Sequence, residues 1–199
     1  MRKIILLFSA LICLSHQEVA AQSFTDLLKG LIGSSTQTAP ASKPVFPSDS
    51  ELIGRWVYKS LDMEYLGSDA LASMAVTAAK SQLSSLATKF GIASGRDYID
   101  IERRKATVVS GERKGEARYT YIPSTGQMII TAEHNKQKYT ITAWVTVRED
   151  GIAVMFKAVE LVAIASTTKQ YQENTTLQAL GSLVNSYPEI RIGAILARL

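Results

Sequence analysis

LIGRWVYKS, residues 52–60, sets a glycine, one spacer and a tryptophan inside a run that alternates like a strand. Gly54, Trp56 and Tyr58 share one face; Ile53, Arg55, Val57 and Lys59 share the other. The second face mixes charge with apolar bulk, as a half-exposed strand does. Immediately downstream the period changes. In residues 67–92, Leu71, Met74, Ala75, Ala78, Leu83, Leu86 and Phe90 recur at helical spacing, and the many alanines favour helix. Ser68 or Asp69 can cap the start, and Gly91 can take the left-handed position that ends it. Leu71, Met74 and Ala78 are expected to pack this helix against a sheet.

Past the helix the period returns to two. The runs DYIDIERRK, ATVVSGERKG, EARYTYIP, QMIITAEHNK, KYTITAWVTVRED and IAVMFKAVEL are separated by short turn signals such as Ser110-Gly111, Ser124-Thr125-Gly126 and Asp150-Gly151. Such short connections predict an antiparallel meander. Tyr139, Ile141, Ala143, Val145 and Val147 fall on one face of their strand, with Thr140, Thr142, Trp144 and Thr146 on the other. Val159 to Ala165 reads as either more strand or the start of a helix. Asn174 can cap a helix through Leu177, Leu180 and Val184 that Pro188 ends, and EIRIGAILARL closes the chain as a last strand.

The count is one strand before the long helix, about six in the meander and one at the end. Pairing the last strand with the first would remove both open edges and give an antiparallel barrel of about eight strands, a size that holds side chains and one small ligand. A two-sheet sandwich fits the same pattern. The expected class is therefore mainly β with helical insertions (α+β), with a long helix between strands one and two and a helical segment before the last strand.

Gly54-x-Trp56 ahead of a meander resembles the lipocalin pattern. That resemblance implies that the glycine lets the strand bend, that Trp56 plugs one barrel end, and that a late-strand arginine, Arg191 or Arg198, packs over the ring. Trp56-Val57-Tyr58, Lys89-Phe90-Gly91-Ile92 and Tyr187-Pro188 are further similar to a lipocalin-like family of exported proteins from gut Gram-negative bacteria, a family with no assigned activity. The likeness spans residues 51–199.

The amino terminus carries Arg2 and Lys3, an apolar run from Ile4 to Leu14, and small residues at Val19, Ala20 and Ala21. This is the layout of a signal peptide cleaved after Ala21 to leave Gln22, implying export; with the family resemblance it implies the periplasm or envelope of a Gram-negative bacterium. A lipoprotein anchored at Cys13 is the disfavoured rival, because Leu11 and Ile12 precede the cysteine. Residues 22–50 are read as a short amphipathic helix, with Phe24, Leu27, Leu28, Leu31 and Ile32 on one stripe, followed by a Pro/Ser/Thr tether. The barrel domain is expected to begin near Glu51. Cleavage removes two positive charges and one negative, taking the net charge from +4 to +3. That is too mild for a nucleic-acid surface.

Cleavage also removes Cys13 and His16, leaving no cysteine and only His134, in a predicted hairpin tip. Disulfides, thiolate metal sites and cysteine nucleophiles are excluded by composition; one histidine cannot by itself build a metal site, no G-x-S-x-G accompanies it, and His134 reads as a surface turn residue. No cofactor is expected. Asp97, Asp100 and Glu102 are the one carboxylate group close enough to consider for acid–base work, and they read as solvated strand neighbours rather than groups facing across a cleft. Arg103, Arg104 and Lys105, with Arg113 and Lys114, read as basic hairpin tips. Tyr58, Tyr119, Tyr121, Tyr139 and Trp144 are the candidate ligand contacts, since flat rings with polar tips suit amphipathic molecules. The function expected is non-enzymatic binding of a small apolar or amphipathic ligand inside the barrel. The alternative is a filled barrel acting through its surface and its N-terminal stripe on an envelope protein or membrane surface.

Overall fold

The structure, a computed structural model, describes residues 43–89, 92–134, 137–167 and 169–199. The expected signal sequence with its Ala21–Gln22 junction, the stripe from Phe24 to Ile32, Phe90, Gly91 and the side chain of His134 lie outside the described residues. The elements run α1 (Asp49–Leu52), β1 (Gly54–Tyr65), α2 (Ala70–Lys89), β2 (Tyr98–Glu102), β3 (Lys105–Ser110), β4 (Arg113–Ile122), β5 (Gln127–His134), β6 (Gln137–Arg148), β7 (Gly151–Lys157), α3 (Ala158–Ala165), α4 (Lys169–Glu173), α5 (Thr175–Ser186) and β8 (Ile190–Arg198).

Each strand pairs antiparallel with the next, and β8 returns to β1, so the sheet closes into a barrel in strict sequence order. Closure settles the choice between barrel and sandwich: Trp56 lies opposite Ile99 on one side and Arg198 on the other. The β1–β8 register shifts between Tyr58 and Ser60. The extra residue bends β1 and moves the inward face from Trp56 and Tyr58 to Leu61 and Met63. Gly54 has φ +142°, a conformation closed to other residues, and this bends the chain as it enters the barrel.

The two barrel ends are closed differently. At the start of β1 the chain crosses the opening as a strap and a single turn of helix. The Val147 N–H donates to the Val45 carbonyl (2.8 Å), the Tyr121 hydroxyl to the Pro47 carbonyl (2.8 Å) and the Trp56 indole N–H to the Leu52 carbonyl (2.8 Å). Ser48 caps α1 through a reciprocal bond pair with Glu51. Gly126, at φ +64°, lies against Phe46, where a Cβ would strike both that ring and the Val145 carbonyl. The packed chain therefore begins upstream of Glu51, at least as far as Val45. The tether's extended, proline-rich residues are the ones that can lie flat across a barrel end.

The opposite end is covered by helices. α2 starts on Asp69, whose carboxylate accepts from the Leu71 and Ala72 N–H groups (2.8 and 3.1 Å). Its buried face is Ala72, Ala75, Val76, Ala79, Leu83 and Ala87. Leu71, expected to pack, is 67% exposed, and Met74 and Ala78 are only partly buried. Alanines set the contact because their small side chains let the helix approach β1 closely. Lys80 pairs with Asp62 of β1 (2.9 Å). The segment from Val159 is helix, not strand. Asn174 caps α5 by accepting from the Leu177 N–H (3.0 Å), and Leu177, Leu180, Leu183 and Val184 pack with Met63, Ile190 and α2 in a core above the barrel.

Candidate functional site

A second core fills the barrel itself, built on Leu52, Trp56, Tyr58, Tyr119, Met128, Val145, Ile152 and Leu196. Its fully buried members Leu52, Val145, Ile152 and Leu196 lie toward the strapped end. Trp56 is the floor, and truncating a buried ring of this kind to alanine costs about 3–5 kcal/mol. Arg198, not Arg191, lies over it: its guanidinium is 5.6 Å from the Trp56 ring and also donates to the Glu51 and Ile53 carbonyls. Arg191 stands on the outer face at 3.8 Å from the Trp144 ring, and Glu64 bridges it to Arg148. The reason is strand parity. Positions 192, 194 and 196 of β8 point with the barrel core, so 191 points away from it.

The aromatic candidates divide the same way. Tyr58, Tyr119 and Tyr121 point inward. Tyr139 has the parity of the inward Ile141 and Ala143 but sits at the far end of β6, 36% exposed. Trp144 lies outside the lumen. So does Tyr98, with Arg55 stacked on it at 4.2 Å. The inward hydroxyls have structural partners: Tyr119 donates to the Glu102 carbonyl (2.8 Å) and Tyr121 to Pro47. Burial raises all three phenols, and Tyr121, near Asp49 and Glu51, is pushed up to about 12. They are neutral at any physiological pH.

Between the floor and the helical cover the wall is apolar. Leu61, Ile99, Ala106, Ile130, Phe156 and Ala194 all point inward and pack on the barrel core, yet each keeps part of its surface accessible. Leu61, Ile92 and Phe156 touch both cores and so mark the level where barrel interior meets helical cover. None of these wall residues was among the aromatic candidates. They are plain apolar positions, and alternation in β3 and β8 marks them only once the inward parity is known.

The charged candidates form no cleft. Asp100 is on the outer face in a bidentate pair with Arg55 (2.7 and 2.9 Å), which holds its carboxyl below the usual range. Asp97 is buried in the connection from α2 to β2. It pairs with Arg96 and accepts from the Ala93 N–H (2.8 Å), Ser110 hydroxyl (3.0 Å) and Gly111 N–H (3.1 Å). Burial opposes its charge, but Arg96 and these donors together lower the carboxyl below its usual range. Arg103 and Arg104 sit at one end of β3 and Arg113 and Lys114 at the other, so the basic tips do not form one anion site. Among the described residues no His, Cys, Asp and Glu group could hold a metal ion, and no helix is long and apolar enough to cross a membrane.

No curated protein and no solved structure matches the chain. A family model does: the one described as "Lipocalin-like domain (DUF4923)" matches residues 35–198, a span that takes in the strap as well as the barrel. With a floor tryptophan under a last-strand arginine in a closed eight-stranded meander, the chain belongs to that lipocalin-like family.

Proposed function

We propose that this protein is an exported, non-enzymatic carrier that holds a small apolar or amphipathic molecule in the barrel lumen. The observation that carries the reading is the ring of inward apolar side chains, several of them only partly buried, that a closed eight-stranded sheet encloses. A lumen bounded by a packed floor and a helical cover is the concave, apolar site small ligands favour. Export rests on the sequence: the basic start, the apolar run and the small residues before Gln22.

The test is uptake of the neutral dye N-phenyl-1-naphthylamine by the mature chain. Ala106→Trp places a ring in the lumen and should abolish the fluorescence rise. Thr120→Trp, on the exposed outer face of β4, should leave it intact. Equal uptake by both variants, each with a normal melting transition, would move binding away from the lumen.

A second reading, an envelope interaction module, has one observation in its favour. Val45 and Val147, joined at the strapped end, are 63% and 41% exposed, and the chain leads from there toward the Phe24–Ile32 stripe. Failure of every dye and lipid to bind, with capture of an envelope protein that depends on that stripe, would favour it.

A further inference from the structure

The ligand class can be narrowed by what the lumen wall lacks. Taking inward positions strand by strand, β1 contributes Leu61 and Met63, β2 Ile99 and Ile101, β3 Ala106 and Val108, β4 Gly115 and Ala117, and β5 Met128 and Ile130. The inward face of β6 adds Ile141, Ala143 and Val145, that of β7 Ile152, Val154 and Phe156, and that of β8 Ile192, Ala194 and Leu196. Among the described residues none of these positions is Asp, Glu, Lys, Arg or His; the charged side chains of the same parity stand at the ends, Arg113 exposed at the helical end of β4 and Arg198 at the floor. The cations that do approach the barrel are held elsewhere. Arg198 is bound to carbonyls beneath the floor, Arg191 is stacked on the outer face, and Lys80 is paired with Asp62.

Three of the neutral donors that face inward are committed as well; Tyr58 is the inward phenol outside this set. The Trp56 indole N–H and the Tyr119 and Tyr121 hydroxyl protons all go to backbone carbonyls of the structure itself. A carboxylate or phosphate brought in among these apolar positions would lose its water shell and meet no cation there and no uncommitted donor from these three side chains. A desolvated charge without a partner is among the most unfavourable arrangements a protein interior can hold. An alcohol or ester gives up far less on entry, and the phenol oxygens can still accept a hydrogen bond from a ligand hydroxyl.

We infer that the lumen selects electrically neutral apolar molecules and rejects the anionic amphiphiles of the same chain length. This rests on the carrier reading above and adds to it a rule of discrimination set by the uncharged wall.

The experiment is equilibrium dialysis of the mature chain against three radiolabelled twelve-carbon probes at pH 8: 1-dodecanol and methyl dodecanoate, each below its solubility limit, and dodecanoate below its critical micelle concentration. The alcohol and the ester should bind at least tenfold more tightly than the carboxylate, and Ala106→Trp should weaken both neutral probes. Thr120→Trp, which leaves the lumen unchanged, should preserve the order. Dodecanoate binding within threefold of either neutral probe, or more tightly, would overturn the selectivity while leaving the carrier reading standing. Binding of none of the three would refute the carrier reading itself, and this inference with it.

Discussion

Replacing Tyr121 with phenylalanine removes one oxygen and nothing else, and that oxygen is what ties the strap to the barrel floor. Its hydroxyl donates to the Pro47 carbonyl at 2.8 Å, and Pro47 is itself fully buried. In Tyr121→Phe the carbonyl keeps no replacement donor. A net hydrogen bond contributes about 1 kcal/mol, and stranding a buried acceptor raises the loss to about 1–2 kcal/mol. For a chain of this size that is a fall in Tm of about 3–6 °C. Urea denaturation of the mature chain, followed by tryptophan fluorescence, would read it as a lower midpoint at unchanged slope. The phenol's own titration supplies a second signature. Because the folded group sits at about 12 and an unfolded tyrosine near 10, its contribution is complete below about pH 10 and fades as pH rises toward 12. The gap between wild type and variant should therefore be flat from pH 6 to 9. A stability change below about 0.3 kcal/mol would refute the argument that the strap is held through this bond, as would a gap that varies across that neutral range.

Two further outcomes follow from the same contacts. Asp97→Ala should lower stability by about 3 kcal/mol at pH 7, since it strips a shared acceptor from Ala93, Ser110 and Gly111. The wild-type carboxyl is depressed, so its contribution is present above about pH 4 and is lost as pH falls through the folded value; acid melts of the two proteins should converge, and a constant gap would contradict this. A chain begun at Glu51 should melt several degrees below one begun at Lys43, having lost the Val45 and Pro47 carbonyl bonds and the Ser48 cap, each about 1 kcal/mol. Coincident transitions would show that the strap adds nothing.

Local periodicity carried much of the architecture. Strand runs, turn signals, the long helix after β1, Asn174 as a cap and the stop at Pro188 are all consequences of contacts within a few residues, and such contacts are written in neighbouring letters. The Gly54-x-Trp56 pair told more than its length suggests, because a glycine-only φ and a floor ring are needed together at one place. Where the reading slipped, the missing information was always a direction or a distance. Leu71 outranks Ala72 in hydrophobicity, but close approach to β1 favours the smaller residue. Trp144 and Arg191 look like a lining ring and a floor cation until parity turns both outward.

By itself, then, the sequence determined the order and kind of the elements, the strand count that closure needs, and the chemistries that a chain without cysteine after Cys13 cannot perform. Tertiary structure alone decided which parity faces inward, which arginine covers Trp56, that the proline-rich strap is part of the floor, and that the inward positions between floor and cover are apolar. The physical reason is range. Propensity and capping act over a turn or a strand pair, whereas a one-residue bulge at Tyr58–Ser60 or the approach of β8 to β1 resets which side chains meet across residues far apart in the chain.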